Sequence, residues 1–517
     1  MKPVLVIGAG PVGLMTALAL KFYGVDFRLY EEDKDFSSDT KAGTILTRTI
    51  EAFRRYGVDE AVLSEALRLD EIGEINRATN EKKASVLTEA LIDETRFPFV
   101  LNIPQHHLEP LLAKGLEDMP SGTVNLRHRL KSFEQNETGV IAHLDGPDGP
   151  ISVEGSYLIA CDGGRSTIRG QLDIPVDGVS LDVRYMLVDI KVDLDVSNPR
   201  DYPYLAYFAD PNEWMISVRQ PHCWRFLFPL QPGSDEATPA ELEGKVRSFI
   251  GEVTTLEVLN TVTYRVHHRI ATQWRKDRVF LAGDAAHLIT PMWALGLNTG
   301  VLDAINFPWR LAWVLRGWAS DSLLDGYERE QRPLAAHGSG EMAEAARKLM
   351  GGEDSESKAM AGSTWANAMT RSLLGVSLDV DGAGKWSIVK NEREALRVGD
   401  RMPDVMLFDG HGRRTYVHDL CDDSFVAFYF SDARRRPTIP VDTLPGLKSF
   451  VVSRWDAPLD TGLRPRALFD VGSRLLHQLG IVEETIVLVR PDDHVAAVIP
   501  MGTKAVESIY KSICGVK

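Results

Sequence analysis

The chain has 517 residues, of which 44% are apolar and 25% are charged, and its formal net charge is −15. This length exceeds what one core can serve and predicts roughly two to four domains of about 100–200 residues each. The negative charge argues against nucleic acid or an anionic membrane as the main partner, because both attract basic surfaces. The four cysteines form no CxxC pair and no cluster at metal-ligand spacing, which fits a reducing cytoplasm and a protein without a metal site.

The first predicted elements form a strand–helix–strand unit. An apolar strand at 4–7 precedes a turn with Gly8, Gly10 and Gly13, an apolar-periodic helix follows, and a second strand at 27–30 ends at Glu31. Gly8 permits a tight turn, Gly10 lets a pyrophosphate approach the backbone, and Gly13 allows close packing of helix on strand. The unit predicts a dinucleotide site, with Glu31 on the adenosine ribose. A structural unit without a nucleotide is the alternative.

Two further motifs place an Asp-Gly or Gly-Asp pair at the end of an apolar strand. The segment 157–169 ends its strand at Asp162 and Gly163 and leads into a helix, and the segment 279–287 does the same with Gly283 and Asp284. A carboxylate there can accept a hydrogen bond from a ribityl or ribose hydroxyl, and free N–H groups at a helix start suit an anion. Three such motifs in this order predict one flavin site built from both ends of a long domain.

The predicted secondary structure changes between and after these motifs. Strand-like segments at 202–209, 214–219 and 224–230 predict a sheet-based second lobe, and helices are predicted at 302–316 and 323–332. The apolar stretch at 291–318 contains polar and charged residues, so we expect no membrane span. Residues 351–363 are a candidate linker, and a last α/β unit is predicted from about 398, with strands at 425–429 and 485–489 and a helix at 505–513.

With these motifs in this order, the chain resembles the FAD-dependent aromatic hydroxylases, which are single-component flavoprotein monooxygenases with a para-hydroxybenzoate hydroxylase-type fold. It is most similar to the phenol hydroxylase-like branch with a C-terminal thioredoxin-like domain. The resemblance implies an α/β architecture with an FAD-binding Rossmann-type domain in segments 1–75, 105–175 and 275–345. A β-rich substrate domain at 76–104 and 176–274 would be interleaved with it. A helical linker region at 346–397 and a thioredoxin-like domain at 398–517 would follow, the latter without redox cysteines and therefore structural or oligomerising.

The resemblance also implies cofactor contacts. The ADP part of FAD would lie on the glycine turn and Glu31, Asp162 is associated in the family with both FAD and the reduced nicotinamide, and Asp284 would bind the ribityl or pyrophosphate part. Where relatives usually have Pro-Phe-Gly-Gly-Gln-Gly, this chain has Pro-Met-Trp-Ala-Leu-Gly at 291–296, so Trp293 is either a core residue or a substrate-stacking wall. The other implied cofactor residues are Pro11, Val12, Lys41, Arg48, Gln105, Leu130, Gly163, Gly283, Pro291, Gly296, Leu297 and Asn298.

The activity that the resemblance implies is hydroxylation of a phenolic or related aromatic substrate, through a flavin C4a-hydroperoxide, with NADH or NADPH as reductant and O2. Three alternatives stay open: epoxidation or Baeyer–Villiger insertion on a polyketide-like substrate, an oxidase or dehydrogenase without oxygen insertion, and a non-catalytic flavin-binding module. We expect a cytoplasmic protein, for which a homodimer is plausible. No catalytic residue is predicted, and the candidates for the substrate pocket are Trp293, Tyr204, Tyr207, Trp214, Arg219, His222 and Arg225.

Overall fold

The computed structural model describes most of the chain. The described residues are 2–36, 43–77, 79, 81–194, 202–210, 214–230, 238–251, 253–290, 292–344, 370, 372–375, 377–380, 395–421, 423–431, 444–454, 465–481, 484–501 and 505–517. The predicted linker at 351–363 and most of the predicted region at 346–397 lie outside them. The same holds for two predicted cofactor residues, Lys41 and Pro291.

The first sheet brings the three sequence motifs together. Its four central strands are largely apolar and buried, and all strands pair in parallel except the short one at one edge. Ile7 aligns with Ala160, and Ala160 aligns with Leu281, so the three motif-bearing strands end side by side. The glycine turn and both aspartate segments therefore meet at one edge of the sheet, as predicted. The strand order is Arg275–Lys276, Val279–Leu281, Leu158–Ala160, Val4–Ile7, Phe27–Tyr30 and Val124–Asn125.

The second sheet has eight strands and is largely antiparallel. Successive side chains along its strands point to opposite sides of the sheet, and both faces are apolar. Ile216 and Leu227 belong to the cluster on one face, and Met215 and Phe226 belong to the cluster on the other. The strand Glu71–Asn76 belongs to this sheet, although the sequence prediction placed residues up to 75 in the FAD-binding domain. The strand order is His287–Leu288, Leu256–Ala271, Val176–Val192, Trp224–Leu230, Met215–Arg219, Leu205–Ala209, Glu71–Asn76 and Glu81–Leu87.

Helices and two small sheets complete this part of the molecule. The helix Pro11–Phe22 packs against the long helix Leu295–Leu315, and both cover the first sheet. The small sheets consist of Arg129–Asn136, Gly139–Gly146 and Gly149–Gly155, and of Thr44–Ile45, Val100–Asn102 and Leu67–Leu69. The remaining α-helices here are Thr47–Arg55, Asp59–Glu65, Gln105–Lys114, Thr167–Gln171, Pro239–Ile250 and Asp325–Pro333. None of the described helices is long and apolar enough to cross a membrane.

The C-terminal unit is built on a seven-stranded mixed sheet. Its strands include the two that the sequence predicted near 425 and 485, and it ends on the predicted helix. Both of its cysteines, Cys421 and Cys514, are buried, and neither forms a disulfide. The strand order is Arg414–Tyr416, Met406–Asp409, Ala467–Phe469, Leu447–Ser453, Phe425–Phe430, Thr485–Val489 and Val495–Pro500. The helices of the unit are Val417–Leu420, Arg474–Leu479 and Ala505–Cys514.

A buried network of charges fixes this unit to the rest of the molecule. Glu330 accepts hydrogen bonds from Arg310 at 2.6 Å and from Arg490 at 2.8 Å. The neighbouring Asp492 accepts from the indole N–H of Trp309 at 3.1 Å. All five side chains are buried, and buried charges are tolerated only when they are paired in this way. The long helix and the C-terminal unit are therefore docked through specific polar contacts as well as through an aromatic cluster.

Candidate functional site

The glycine turn packs tightly at two positions and is open at the third. Gly8 has a φ of +103°, and a Cβ there would lie 2.3 Å from the carbonyl oxygen of Cys161. A Cβ at Gly13 would lie 1.9 Å from the carbonyl oxygen of Gly8, whereas a Cβ at Gly10 would meet no atom within 4 Å. Only glycine fits the first two positions. The open space lies at Gly10, where Pro11 begins the helix, as expected of a turn that approaches a ligand with its backbone.

Glu31 is held against the glycine turn. Its carboxylate accepts a hydrogen bond from the backbone N–H of Ala9 at 2.6 Å and a second one from the N–H of Asp33 at 3.0 Å. The strand tip and the turn are thereby joined. A contact between this carboxylate and an adenosine ribose stays a prediction.

The second motif places an incompletely paired carboxylate beside the same turn. One oxygen of Asp162 accepts from the N–H of Ile168 at 3.1 Å, while the other oxygen is buried and has no hydrogen-bond partner. Burial raises the pKa of this carboxyl group above its ordinary value. Arg169 donates to the carbonyl oxygens of Gly164 and Ala285, both at 2.8 Å, and so ties this motif to the third one.

The third motif forms a one-turn 3-10 helix, Gly283–Ala285, which we call the aspartate turn. Gly283 has a φ of +58°, and a Cβ there would lie 2.9 Å from a methyl carbon of Val12. Its N–H donates to the carboxylate of Asp303 at 2.8 Å, and the same carboxylate oxygen lies 2.9 Å from Nε2 of His287. Both side chains are buried, so His287 and Asp303 hold the turn in place. Sequence reasoning missed Asp303, whose signal was a lone acid within an apolar helix.

A cavity of about 520 Å³ lies where the aspartate turn and the glycine turn face the second sheet. Its volume falls within the range of about 300–1,000 Å³ that is usual for small-molecule sites. The structure thus brings residues from both predicted lobes to one space. The predicted cofactor residues that line it are Gly10, Pro11, Val12, Gln105, Gly163, Asp284, Gly296 and Leu297, and the predicted pocket residues that line it are Tyr207 and Arg225.

The wall formed by the second sheet is apolar except at one end. Burial raises the pKa of Tyr207, so its hydroxyl is neutral over the physiological range. At the polar end, Arg225 is held by a two-point contact with Asp189, at 2.8 and 3.1 Å, and both are buried. Sequence reasoning also missed Gln220 at this end, because a single glutamine after a strand carries no motif. The aliphatic part of the wall consists of Leu187, Leu205, Ile216, Val218, Leu227 and Val262.

Gly8, Gly13, Glu31, Asp162 and Gly283 lie next to this cavity without being among its lining residues, and three further predicted cofactor residues lie away from it. Arg48 points toward the C-terminal unit, where it donates to the carboxylate of Asp493 at 2.9 Å. Asn298 is buried and accepts hydrogen bonds from the N–H of Leu46 at 2.9 Å and the hydroxyl of Thr49 at 2.7 Å, so it joins the long helix to the helix Thr47–Arg55. Leu130 lies in the apolar core. A direct cofactor contact stays a prediction for these residues, and their observed contacts are structural.

Trp293 and its neighbour form an unusual turn before the long helix. Trp293 and Ala294 have φ values of +65° and +55°, a left-handed conformation that non-glycine residues rarely adopt. The Trp293 ring lies 4.7 Å from the ring of Tyr207, which lines the cavity. Trp293 is buried in the same apolar cluster as Tyr207, and Ala294 itself lines the cavity, so the departure from the family pattern shapes the cavity both directly and through Tyr207.

The other predicted pocket residues are not among those that line the cavity. Arg219 donates to the carbonyl oxygens of Gln220 and Cys223, at 2.8 and 3.0 Å, and therefore shapes the turn between two strands. The remaining three have aromatic neighbours: Tyr204 contacts Trp224, Trp214 contacts Tyr185, and His222 contacts His107.

Comparison with known proteins identifies the class to which this architecture belongs. The model of the FAD binding domain family matches residues 1–338, and the chain belongs to this family. The 3-(3-hydroxy-phenyl)propionate/3-hydroxycinnamic acid hydroxylase of Mycolicibacterium smegmatis is 31% identical over 339 residues, which are 64% of this chain and 58% of the relative. The para-nitrophenol 4-monooxygenase of a Pseudomonas species is 29% identical over 337 residues, which are 64% of this chain and 83% of the relative. The chain thus spans less than two thirds of the first of these relatives.

Solved structures share the fold over the whole chain. The flavin-dependent monooxygenase PieE, solved with FAD and substrate, superposes with a TM-score of 0.79 at 23% identity and covers 100% of this chain and 99% of its own. Aklavinone-11 hydroxylase, solved with FAD and aklavinone, has a TM-score of 0.79 at 24% identity and covers 99% of both chains. The mixed α/β fold of flavin monooxygenases is therefore the fold of this protein.

Proposed function

We propose that the protein is an NADH- or NADPH-dependent FAD monooxygenase that hydroxylates a phenolic or related aromatic compound with O2. The observation that carries the proposal is the cavity, which is lined on one side by the glycine and aspartate turns and on the other by an aliphatic wall. Membership of the FAD binding domain family and the names of the two curated relatives support it.

The residues present fit FAD. The space at Gly10 accepts a pyrophosphate at the start of a helix whose first turn has no acidic residue to repel it. Glu31 lies against the turn for the adenosine ribose, and the unpartnered oxygen of Asp162 offers an acceptor beside it. Asp284 is exposed and lines the cavity, where it would bind the ribityl chain. Backbone at Gly296 would border the flavin ring.

FAD, when bound and reduced, supplies the activation of O2 that transfers one oxygen atom to an electron-rich ring. The residues of this chain do the rest. The aliphatic wall excludes water from the cavity, which favours oxygen transfer over unproductive decay. The rigid sheet positions a flat ring opposite the aspartate turn and keeps it there.

A second candidate is epoxidation or Baeyer–Villiger insertion on a polyketide-like substrate. The cavity of about 520 Å³ would be shared by FAD and the substrate, so its volume does not distinguish this candidate from the first. An oxidase or dehydrogenase activity is the third candidate. Product mass distinguishes the first two, and coupling of reductant use to oxygenated product distinguishes both from the third.

We propose a thioredoxin-like fold for the C-terminal unit and a structural role rather than a redox role. Its central parallel pair, Phe425–Phe430 and Leu447–Ser453, and the antiparallel strands beside it support this relationship. Its cysteines are buried, and burial raises the pKa of the Cys514 thiol to about 11, which opposes thiolate chemistry. A cytoplasmic location and a homodimer remain expectations.

The test is a purified full-length protein. We expect a yellow protein with about one FAD per chain, oxidation of NADH or NADPH that a suitable phenol stimulates, and a product one oxygen atom heavier. Parallel assays with NADH and NADPH identify the reductant. A colourless protein that binds no added FAD, or a flavin that neither reductant bleaches, would refute the proposal.

A further inference from the structure

Gln220 is a buried polar residue in the wall of the cavity. Its side-chain amide is shielded from water but has no hydrogen-bond partner in the described part of the protein. Its side chain is 0% exposed, and neither the oxygen nor the nitrogen of its amide has a hydrogen-bond partner. Such groups are rare in native proteins, since each unpaired donor or acceptor costs roughly 1–3 kcal/mol. Because Gln220 borders the cavity, a small turn of its side chain toward the open space would let a ligand there supply the missing partners.

The surroundings hold this amide in place. Gly43 lies so close that a Cβ there would be 2.5 Å from the amide nitrogen of Gln220 and 3.1 Å from the guanidinium of Arg225. Arg225 is itself fixed by Asp189. The backbone of Gln220 donates to the carbonyl oxygen of Cys223 at 2.8 Å, which closes the turn that carries it. These contacts restrict the amide to few positions, so little side-chain entropy is lost when a ligand pairs with it.

We infer that Gln220 selects the substrate, by binding two adjacent oxygen substituents of its aromatic ring. This inference rests on the proposed function. An amide presents one acceptor and one donor side by side, so its complement is a ring with a hydroxyl that donates and a neighbouring oxygen that accepts, as in a catechol. The aliphatic wall takes the carbon face of the ring, and Gln220 fixes its rotation within the cavity.

The experiment measures ligand affinity by the change in flavin absorbance of the FAD-loaded, full-length protein. The probes are catechol and resorcinol, two isomers that differ in whether their hydroxyls are adjacent, and fluorobenzene, which has none. The variants are Gln220→Met, which keeps the length of the side chain without its polar atoms, and Gln171→Met, the same change at an exposed glutamine. FAD content and thermal unfolding are recorded for each.

We expect the wild type and Gln171→Met to bind catechol about tenfold or more tightly than resorcinol, and fluorobenzene most weakly. Gln220→Met should lose the preference for catechol, keep its FAD, and unfold at the same or a higher temperature, because an unpaired buried amide is gone. A residue with only a structural role would instead lower the unfolding temperature and leave the ratio of catechol to resorcinol unchanged.

Equal affinity for the two isomers in the wild type, or no binding of either, would overturn the inference even if Gln220→Met failed to fold. An unchanged preference in Gln220→Met would also overturn it. The proposed function fails separately, if the wild type consumes NADH or NADPH but oxygenates no aromatic compound. A wild type that hydroxylates phenols without any preference set by Gln220 would refute the inference alone.

Discussion

Removal of the Asp303 carboxylate tests whether the aspartate turn depends on a residue that never contacts the cavity. One oxygen of Asp303 accepts from the N–H of Gly283 and lies 2.9 Å from Nε2 of His287, and all of these groups are buried. Asp303→Ala leaves two partners unsatisfied. At roughly 1–3 kcal/mol for each, the observed turn is destabilised by roughly 2–6 kcal/mol.

The turn can relieve this cost by opening, which displaces Asp284 from the cavity. We therefore expect Asp303→Ala to bind FAD at least about tenfold more weakly, since tenfold corresponds to about 1.4 kcal/mol. Asp303→Asn is the matched control, because its carbonyl oxygen can keep both contacts. The assay is equilibrium titration of apoprotein with FAD, with thermal unfolding alongside. An Asp303→Ala variant with wild-type FAD affinity would refute the reasoning.

The remaining predictions concern the glycine turn and the buried charges. Gly8→Ala should unfold at a lower temperature, because its Cβ would clash with backbone atoms. Gly10→Ala should keep its stability and lose FAD affinity. Comparing FAD titrations of the two variants separates the effect on packing from the effect on binding. Neighbouring arginines lower the pKa values of Glu51 and Glu330 to about 2 despite burial. The stability that these carboxylates contribute should therefore be complete above about pH 4.5 and should decline as the pH falls toward 2. Acid unfolding followed by circular dichroism measures this decline. Glu330→Gln should cost roughly 3–5 kcal/mol in urea unfolding, because it leaves buried arginine charge without its carboxylate; an unchanged midpoint would contradict this.

The parts of the fold that sequence could predict are those with local signatures. The glycine turn and the two aspartate motifs each combine a buried strand with residues that only a tight turn needs, so their meeting at one sheet edge followed from parallel pairing. The two strands near 425 and 485 were visible as short apolar runs. The apolar wall was predicted as a sheet, but of its lining residues only Tyr207 and Arg225 were named, because alternation alone does not say which face meets the cavity.

The residues that sequence missed act across long separations. Asp303 lies 20 residues from the N–H that it accepts from, and Gln220 stands out only because its amide is buried without a partner. Arg48 was assigned to the cofactor from its position in the family pattern. In the structure it donates to the carboxylate of Asp493 in the C-terminal unit, which is 445 residues away in the sequence. Such pairings depend on how separate units dock, which no local pattern encodes.

The central claim is oxygen transfer from O2 to an aromatic ring inside this cavity. The most direct measurement is the mass of the product formed from a phenol that stimulates reductant oxidation, with the full-length protein under oxygen-18 gas. The account predicts a product that gains one oxygen atom and carries the heavy isotope in it. An unlabelled product, or hydrogen peroxide as the sole outcome of reductant oxidation, would contradict it.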